Sequence, residues 1–285
     1  MIETKIREPN TEHTPSPTLD ELHQQTLVTA KTTYHRQELE FESRFLQNVI
    51  GTQYLHKTAT HSFHERVIAG EIVSRLQQWI SARSSMVLWL MGTPLSPLRT
   101  SDEANAAAHV VDLANSSGIL CISFFCEGYV GSDAASLGTV DSQHRLVSLL
   151  YYLVRQLVLC TPEVFDDDCD YQAEFSQLNG TPESIPGALR MIRRLLGLAP
   201  RLLLCVIDGL QRLDQPTTSA HIEELLSILR NPAGDKVVKL LLTTRGFFPA
   251  GANLDATDRL VCSRLPSKQQ GRGQPGRSIQ SLMFP

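Results

Sequence analysis

The segment LLLCVID at residues 202–208 decides the fold class of this 285-residue chain. Its apolar run ends at Asp208, and Gly209 follows. A short, continuous apolar run is typical of a strand that is buried on both faces, as in a parallel sheet covered by helices. The segment therefore predicts an α/β architecture.

Further strand-like runs surround this segment, and helical patterns separate them. The runs are MVLWLM at residues 86–91, ILCISFF at 119–125, VVKLLLT at 237–243 and RLVCS at 259–263. Helical periodicity is predicted over residues 62–83, 101–117, 143–160, 182–198 and 221–229. Strands that alternate with helices imply crossover connections and a mainly parallel sheet. We therefore expect an α/β three-layer sandwich, preceded by N-terminal helices.

The other segments set the expected domain boundaries. The first residues are rich in proline and polar side chains, and the last are rich in Gly, Gln, Arg and Ser, so both ends are predicted to be disordered. The expected divisions are a lead-in at 1–18, an N-terminal helical region at 19–84, the sheet domain at 85–264 and a tail at 265–285. Within the helical region, residues 19–53 are predicted to be helical.

Composition excludes several classes of protein. Hydrophobic residues make up 42% and charged residues 20% of the chain, and the net charge of −4 carries no general nucleic-acid footprint. No apolar run approaches the roughly 20 residues that span a bilayer. The six cysteines form no CxxC pair, which favours a reducing compartment. We expect a cytoplasmic protein that binds neither nucleic acid nor membrane.

Polar residues at the strand ends are the candidate site, because ligands of open parallel sheets bind beyond the carboxyl ends of the strands. Asp208 is placed to hold Mg²⁺, although an Asp there also suits a simple turn with Gly209. Thr243, Thr244 and Arg245 end another strand, where hydroxyl and guanidinium groups suit a γ-phosphate. The alternative is an ordinary polar strand end.

The loop GTPLSPLRTS at residues 92–101 lies where a phosphate-binding loop would, between a strand and a helix. A working loop has the pattern GxxxxGK[ST], but Pro97 and Leu98 stand at its second Gly and its Lys. Arg99 and Thr100 follow one residue late. Each lost charge-assisted hydrogen bond costs about 1.5–3 kcal/mol, so phosphate binding is predicted to be weak.

The ordered blocks resemble the nucleotide-binding module of fungal STAND-type proteins, relatives of the NACHT and NB-ARC ATPases, with a degenerate Walker A loop. The resembling blocks are VLWLMG (87–92), ISFFCEG (122–128), LLCVIDGLQRLD (203–214) and KLLLTTRG (239–246). The resemblance covers residues 62–263. It implies a P-loop NTPase-like fold, a nucleotide site and a Mg²⁺ ligand. The implied nucleotide-binding residues are Gly92, Arg99, Thr100, Ser101, Thr244 and Arg245, and the implied Mg²⁺ ligand is Asp208.

The chain departs from this family where water would be activated. NACHT-type segments place further acids after the Asp-Gly pair, whereas Gln211 and Arg212 stand here and Asp214 is the nearest carboxylate. We therefore expect a regulatory module with weak Mg-ATP or Mg-GTP binding and without efficient turnover. Protein partners are expected at the N-terminal helices. The alternatives are a pseudo-NTPase interaction scaffold and a truncated, non-functional fragment, since the family's later helical and repeat segments are absent and the ending is of low complexity.

Three further groups of charged residues favour surface positions over ligand sites. The histidines lack a completing ligand, the acidic group lacks the spacing of a calcium loop, and the arginines form a basic strip on a predicted helix. These groups are His56, His61 and His64; Asp166, Asp167, Asp168 and Asp170; and Arg190, Arg193 and Arg194.

Overall fold

The computed structural model describes residues 31–50, 68–93, 102–126 and 142–262. The strands are β1 (Thr32–His35), β2 (Met86–Gly92), β3 (Cys121–Phe125), β4 (Val164–Asp167), β5 (Leu202–Asp208), β6 (Val237–Arg245) and β7 (Arg259–Cys262). The helices are α1 (Arg36–Glu42), α2 (Leu46–Ile50), α3 (Gly70–Ser81), α4 (Asp102–Ser116), α5 (Ser142–Leu159), α6 (Tyr171–Ser176), α7 (Ile185–Leu198) and α8 (Ser219–Arg230). The predicted lead-in at 1–18 and tail at 265–285 lie outside the described residues.

A five-stranded, all-parallel sheet forms the centre of the fold. Its order is β3-β5-β6-β2-β7, and all four neighbouring pairs are parallel. Each strand predicted from an apolar run is present, including the short run at residues 259–263, which forms β7. The predicted α/β class with a parallel sheet is confirmed.

Helices cover both faces of this sheet. Alternate residues of each strand point to opposite faces, so every central strand contributes to two separate apolar clusters. Leu88 and Leu90 of β2 pack with α3 and α4, whereas Val87 and Trp89 pack in the cluster that contains α5, α7 and α8. The central strands are apolar on both sides because both sides are covered.

The helix boundaries agree closely with the sequence pattern. The helices predicted over 101–117, 143–160, 182–198 and 221–229 appear as α4, α5, α7 and α8, with ends shifted by up to three residues. The helix predicted over 62–83 is described from Gly70 to Ser81, and residues 62–67 lie outside the described part of the chain. Its buried side chains, Ile72, Leu76 and Trp79, lie on the predicted apolar face.

The helical prediction for residues 19–53 is wrong over residues 32–35. Thr32–His35 forms β1, which pairs antiparallel with β4, and β4 contains Asp166 and Asp167 of the acidic group. Threonine and tyrosine favour extended backbone. The aromatic ring of Tyr34 packs against Tyr171 and Phe165 at centroid distances of 5.1 and 5.9 Å. This contact with a distant segment overrides the weak helical pattern.

The chain leaves β2 and β6 toward opposite faces of the sheet. After β2 it enters α4, which packs on one face. After β6 it passes Phe248, Ala250 and Leu254, which are buried on the other face, and then reaches β7 on the far side of β2. Neighbouring strands whose connections diverge in this way form a topological switch point, where ligands of open α/β sheets bind.

Within the described residues, no helix is both long and apolar enough to cross a bilayer.

Candidate functional site

Asp208 lies buried at the end of β5, beside β6. It is 5% exposed and stands opposite Thr243 in the strand register. The hydroxyl of Thr243 donates a short hydrogen bond to Oδ1 of Asp208. Gly209 follows with a φ of 78°, which a residue without a side chain adopts at little cost, and its N–H donates to the carbonyl of Thr243 at 2.8 Å. The carboxylate is therefore held in place by the neighbouring strand.

The hydroxyl of Thr244 is engaged in bonds within the protein. It donates to the carbonyl of Gly246 at 2.7 Å and accepts the indole N–H of Trp89 at 2.8 Å. Thr244 is 1% exposed, whereas its neighbour Arg245 is partly exposed. Of these two predicted nucleotide-binding residues, only Arg245 is partly exposed.

Gln211 links the turn after Asp208 to the end of β6. With its amide oriented to satisfy both groups, Nε2 donates to the carbonyl of Gly209 at 3.3 Å and Oε1 accepts the N–H of Arg245 at 3.2 Å. The backbone that carries Arg245 is thereby tied to the turn that carries Asp208. Gln211 stands where the sequence resemblance implies an acid, but the sequence did not indicate this bridge.

Gly92 ends β2 at the same edge of the sheet. It lies in register between Arg245 of β6 and Cys262 of β7, and its carbonyl accepts the N–H of Gly246 at 2.7 Å. A Cβ atom at this position would lie only 1.9 Å from Oε1 of Glu103, the second residue of α4. A side chain here would meet the buried carboxylate of Glu103, which is 4% exposed and would have to shift.

Glu103 is the site residue that the sequence analysis missed. The available signal was a glutamate in the first turn of a helix that follows a phosphate-loop-like segment. Negative charge also surrounds Cys262, which pairs with Gly92 across the strands. Burial raises the pKa of the Cys262 thiol to about 12, with further contributions from Glu103, Glu71 and Asp102. This corner of the site is therefore acidic.

The predicted residues Arg99, Thr100 and Ser101 lie outside the described residues, as does most of their loop. Their role in nucleotide binding stays a prediction. The residues that the structure brings to one edge are Gly92, Asp208 and the Thr243–Arg245 end of β6.

Asp214, the nearest carboxylate after the Asp-Gly pair, has a structural partner. Its Oδ2 accepts the N–H of Ala250 at 2.9 Å, in the turn Pro249–Gly251 that follows β6. Asp214 thus holds the segment that carries the chain from β6 toward β7.

The acidic group on β4 and the basic strip on α7 meet in the structure. Arg194 donates to both carboxylate oxygens of Asp167, and the hydroxyl of Tyr171 donates to Oδ2 at 2.7 Å. Burial acts to raise the pKa of Asp167, but the bonds from Arg194 and Tyr171 outweigh it and lower that pKa. Asp170 accepts the N–H of Ala173 at 3.0 Å and caps α6.

These charged groups therefore have structural roles. Arg190 and Arg193 face Glu174 and Glu224 at 3.8 and 3.4 Å. The three predicted histidines, at positions 56, 61 and 64, lie outside the described residues. Among the residues that the structure describes, no three His, Cys, Asp or Glu side chains converge as a metal site would require.

Comparison of the chain with protein-family models, with curated proteins and with solved structures finds no match in any of the three.

Proposed function

We propose that the chain is a regulatory or signalling module of the STAND-like kind, which binds Mg-ATP or Mg-GTP weakly at the carboxyl edge of its sheet. The observation that carries this proposal is that Gly92, Asp208 and Arg245 end three neighbouring strands at one edge of the sheet, beside the switch point between β2 and β6. Each is the residue type that a nucleotide site needs there: a close backbone approach, a cation ligand and a phosphate partner.

The described residues fit Mg²⁺ and nucleotide only in part. Asp208 is a carboxylate held by Thr243 at the strand edge, which suits an oxygen-coordinated cation. The space beside Gly92, however, contains the carboxylate of Glu103, and its negative charge opposes a phosphate. Asp214 is bound to Ala250, and Gln211 takes the position of a second acid. These features support binding without efficient hydrolysis.

Calorimetric titration with Mg-ATP, Mg-GTP and Mg-ADP tests this proposal. We expect dissociation constants near or above about 0.1 mM, because two lost charge-assisted hydrogen bonds weaken a micromolar site by about a hundredfold or more. The same ligands raise the melting temperature at millimolar concentration. Adenosine, which lacks phosphates, is the control ligand. Absence of both heat and thermal shift with millimolar nucleotide contradicts the proposal.

Arg245→Ala and Arg193→Ala form a matched pair for this titration. Both remove a guanidinium group, but the exposed Arg193 lies on α7 beside Glu224, whereas the partly exposed Arg245 lies beside Gly92. The proposal expects about tenfold weaker binding for Arg245→Ala. Arg193→Ala should bind as the unaltered protein does.

A second candidate is a pseudo-NTPase that serves as an interaction scaffold. The specific observation in its favour is the pair of exposed rings beside the N-terminal helices: Phe41 is 66% and Phe45 39% exposed, and the guanidinium of Arg44 lies 5.7 Å from the ring centre of Phe41. Aromatic and arginine side chains are enriched where proteins meet. This candidate places function on the N-terminal helices rather than at the sheet edge.

Rebuilding the loop separates the two candidates. The triple change Pro97→Gly, Leu98→Lys and Arg99→Thr restores the GxxxxGKT pattern. A weak nucleotide site gains affinity from these changes, since the amide and the lysine both contact phosphate. A scaffold with no room for nucleotide gains none. Phe41→Ala with Phe45→Ala then tests the partner surface, because it should abolish partner capture only in the scaffold.

A further inference from the structure

Glu103 is placed against the backbone at the end of β2. The carboxylate carbon and both oxygens of Glu103 lie within 2.6 Å of the position that a Cβ on Gly92 would occupy. Gly92 does not have a left-handed φ, so its backbone alone does not require glycine. A side chain at this position would displace the carboxylate of Glu103.

The first turn of α4 already carries anions. Asp102 and Glu103 are its first two residues, and carboxylates at this end of a helix interact favourably with the helix dipole. A bound phosphate uses the same interaction. Glu103, unlike the partly exposed Asp102, also points into the protein beside Gly92. Its carboxylate is therefore an anion in the space beside Gly92, at the end of a helix that favours phosphate.

We infer that Glu103 is an autoinhibitory residue whose carboxylate competes with nucleotide phosphate for the space beside Gly92. This inference rests on the proposed nucleotide site and concerns its regulation. A nucleoside di- or triphosphate binds only when the Glu103 side chain moves away from Gly92. The affinity of the resting protein is consequently lower than the remaining site residues would provide.

Titration of Mg-ATP into three variants tests the inference. Glu103→Gln keeps the shape of the side chain and removes its charge, and Glu103→Ala removes the carboxylate group. Asp102→Asn is the matched control, because it removes an equal charge from the same helical turn. For both Glu103 variants we expect the dissociation constant to fall at least about tenfold, which corresponds to about 1.4 kcal/mol. For Asp102→Asn we expect it to change by about twofold or less.

The possible results separate the inference from the proposed function. Weak binding that is equal in all four proteins overturns the inference and leaves the proposed function standing. An equal gain for Asp102→Asn also overturns it, because general charge then explains the effect. Absence of binding in every protein, including Glu103→Gln, overturns both.

A second measurement tests the geometry without nucleotide. Gly92→Ala places a methyl group against the Glu103 carboxylate, which must shift, so we expect the melting temperature to fall by about 2–4 °C. In the Glu103→Ala protein, Gly92→Ala should lower the melting temperature by less than half as much. Equal losses in the two backgrounds show that Glu103 does not fill this space and overturn the inference.

Discussion

The indole N–H of Trp89 donates to the hydroxyl of Thr244 at 2.8 Å, from the middle of β2 to the end of the neighbouring strand β6. Trp89 is fully buried, and the guanidinium of Arg259 lies 4.4 Å from its ring centre. Thr244 in turn donates to Gly246, the residue whose N–H reaches the carbonyl of Gly92. This series of bonds connects the sheet interior to the candidate site.

Breaking the bond between Trp89 and Thr244 should destabilise the fold. Thr244→Val removes the hydroxyl from a buried position, and we expect it to lower the free energy of unfolding by about 1–3 kcal/mol. Trp89→Phe removes the N–H and leaves a cavity in the core, and we expect it to lower the free energy of unfolding by about 2–4 kcal/mol. Urea denaturation of both single variants and the double variant measures the coupling, which should be about 1 kcal/mol. Strictly additive losses would show that the bond contributes nothing.

Acid should weaken the contact between β4 and α7. Asp167 has a lowered pKa in the folded state, so its stabilising effect is present above its unfolded pKa, about 3.9, and is lost as the pH falls through the folded pKa. Asp167→Asn should lower the free energy of unfolding by about 1–3 kcal/mol at neutral pH. It should also make the free energy of unfolding less dependent on pH in acid. Asp166→Asn is the control, because that carboxylate is exposed and accepts the hydroxyl of Thr33 at 2.7 Å.

The measurement for this pair is urea denaturation at several pH values between about 2 and 7. The Asp166→Asn protein should follow the unaltered protein closely across the range. If Asp167→Asn retains the full acid dependence, the carboxylate at position 167 does not stabilise the fold.

Lys239 of β6 binds the segment that directly follows α3. It is 1% exposed, and its Nζ donates to the carbonyls of Ala82 and Ser84 at 2.5 and 2.8 Å. Lys239→Met leaves those carbonyls without their donor, so we expect a loss of about 2–3 kcal/mol in urea denaturation. Lys236→Met is the matched control: Nζ of Lys236 also donates to a carbonyl, that of Ala199, but the residue is more exposed. Similar losses in the two variants would contradict a special role for burial of Lys239.

Gln156 covers the outer edge of β3. Its Oε1 accepts the N–H of Ser123 and its Nε2 donates to the carbonyl of Ser123, both at 2.9 Å. Unpaired edge strands promote association between chains. We therefore expect Gln156→Ala to lower the free energy of unfolding by about 1–2 kcal/mol. We also expect this variant to associate at high concentration, as measured by light scattering. Gln78→Ala, on the exposed side of α3, should remain unchanged. A monodisperse Gln156→Ala protein would show that the edge is protected by other means.

The strands and their carboxyl ends could be predicted because buried parallel strands are continuous apolar runs with abrupt polar ends. β1 could not be predicted in this way, because it is short and mostly exposed and pairs with β4, about 130 residues later in the chain. The hydrogen bond between Trp89 and Thr244 depends on the register between β2 and β6, and a local sequence pattern does not predict that register. The contact of Glu103 with Gly92 depends on where α4 begins after its loop. Local patterns thus located the edge of the sheet, but not the partners of the side chains there.

Backbone amide NMR during titration with Mg-ATP reports where nucleotide binds, and so tests whether the site lies at the carboxyl edge of the sheet. We expect concentration-dependent shifts of Gly92, Gly209, Arg245 and Gly246, which surround the switch point, and little change at Phe41 and Arg193. Glu103→Gln should show the same set of shifts at lower nucleotide concentration. Shifts confined to other regions, or none at millimolar Mg-ATP in either protein, would show that nucleotide does not bind at this edge.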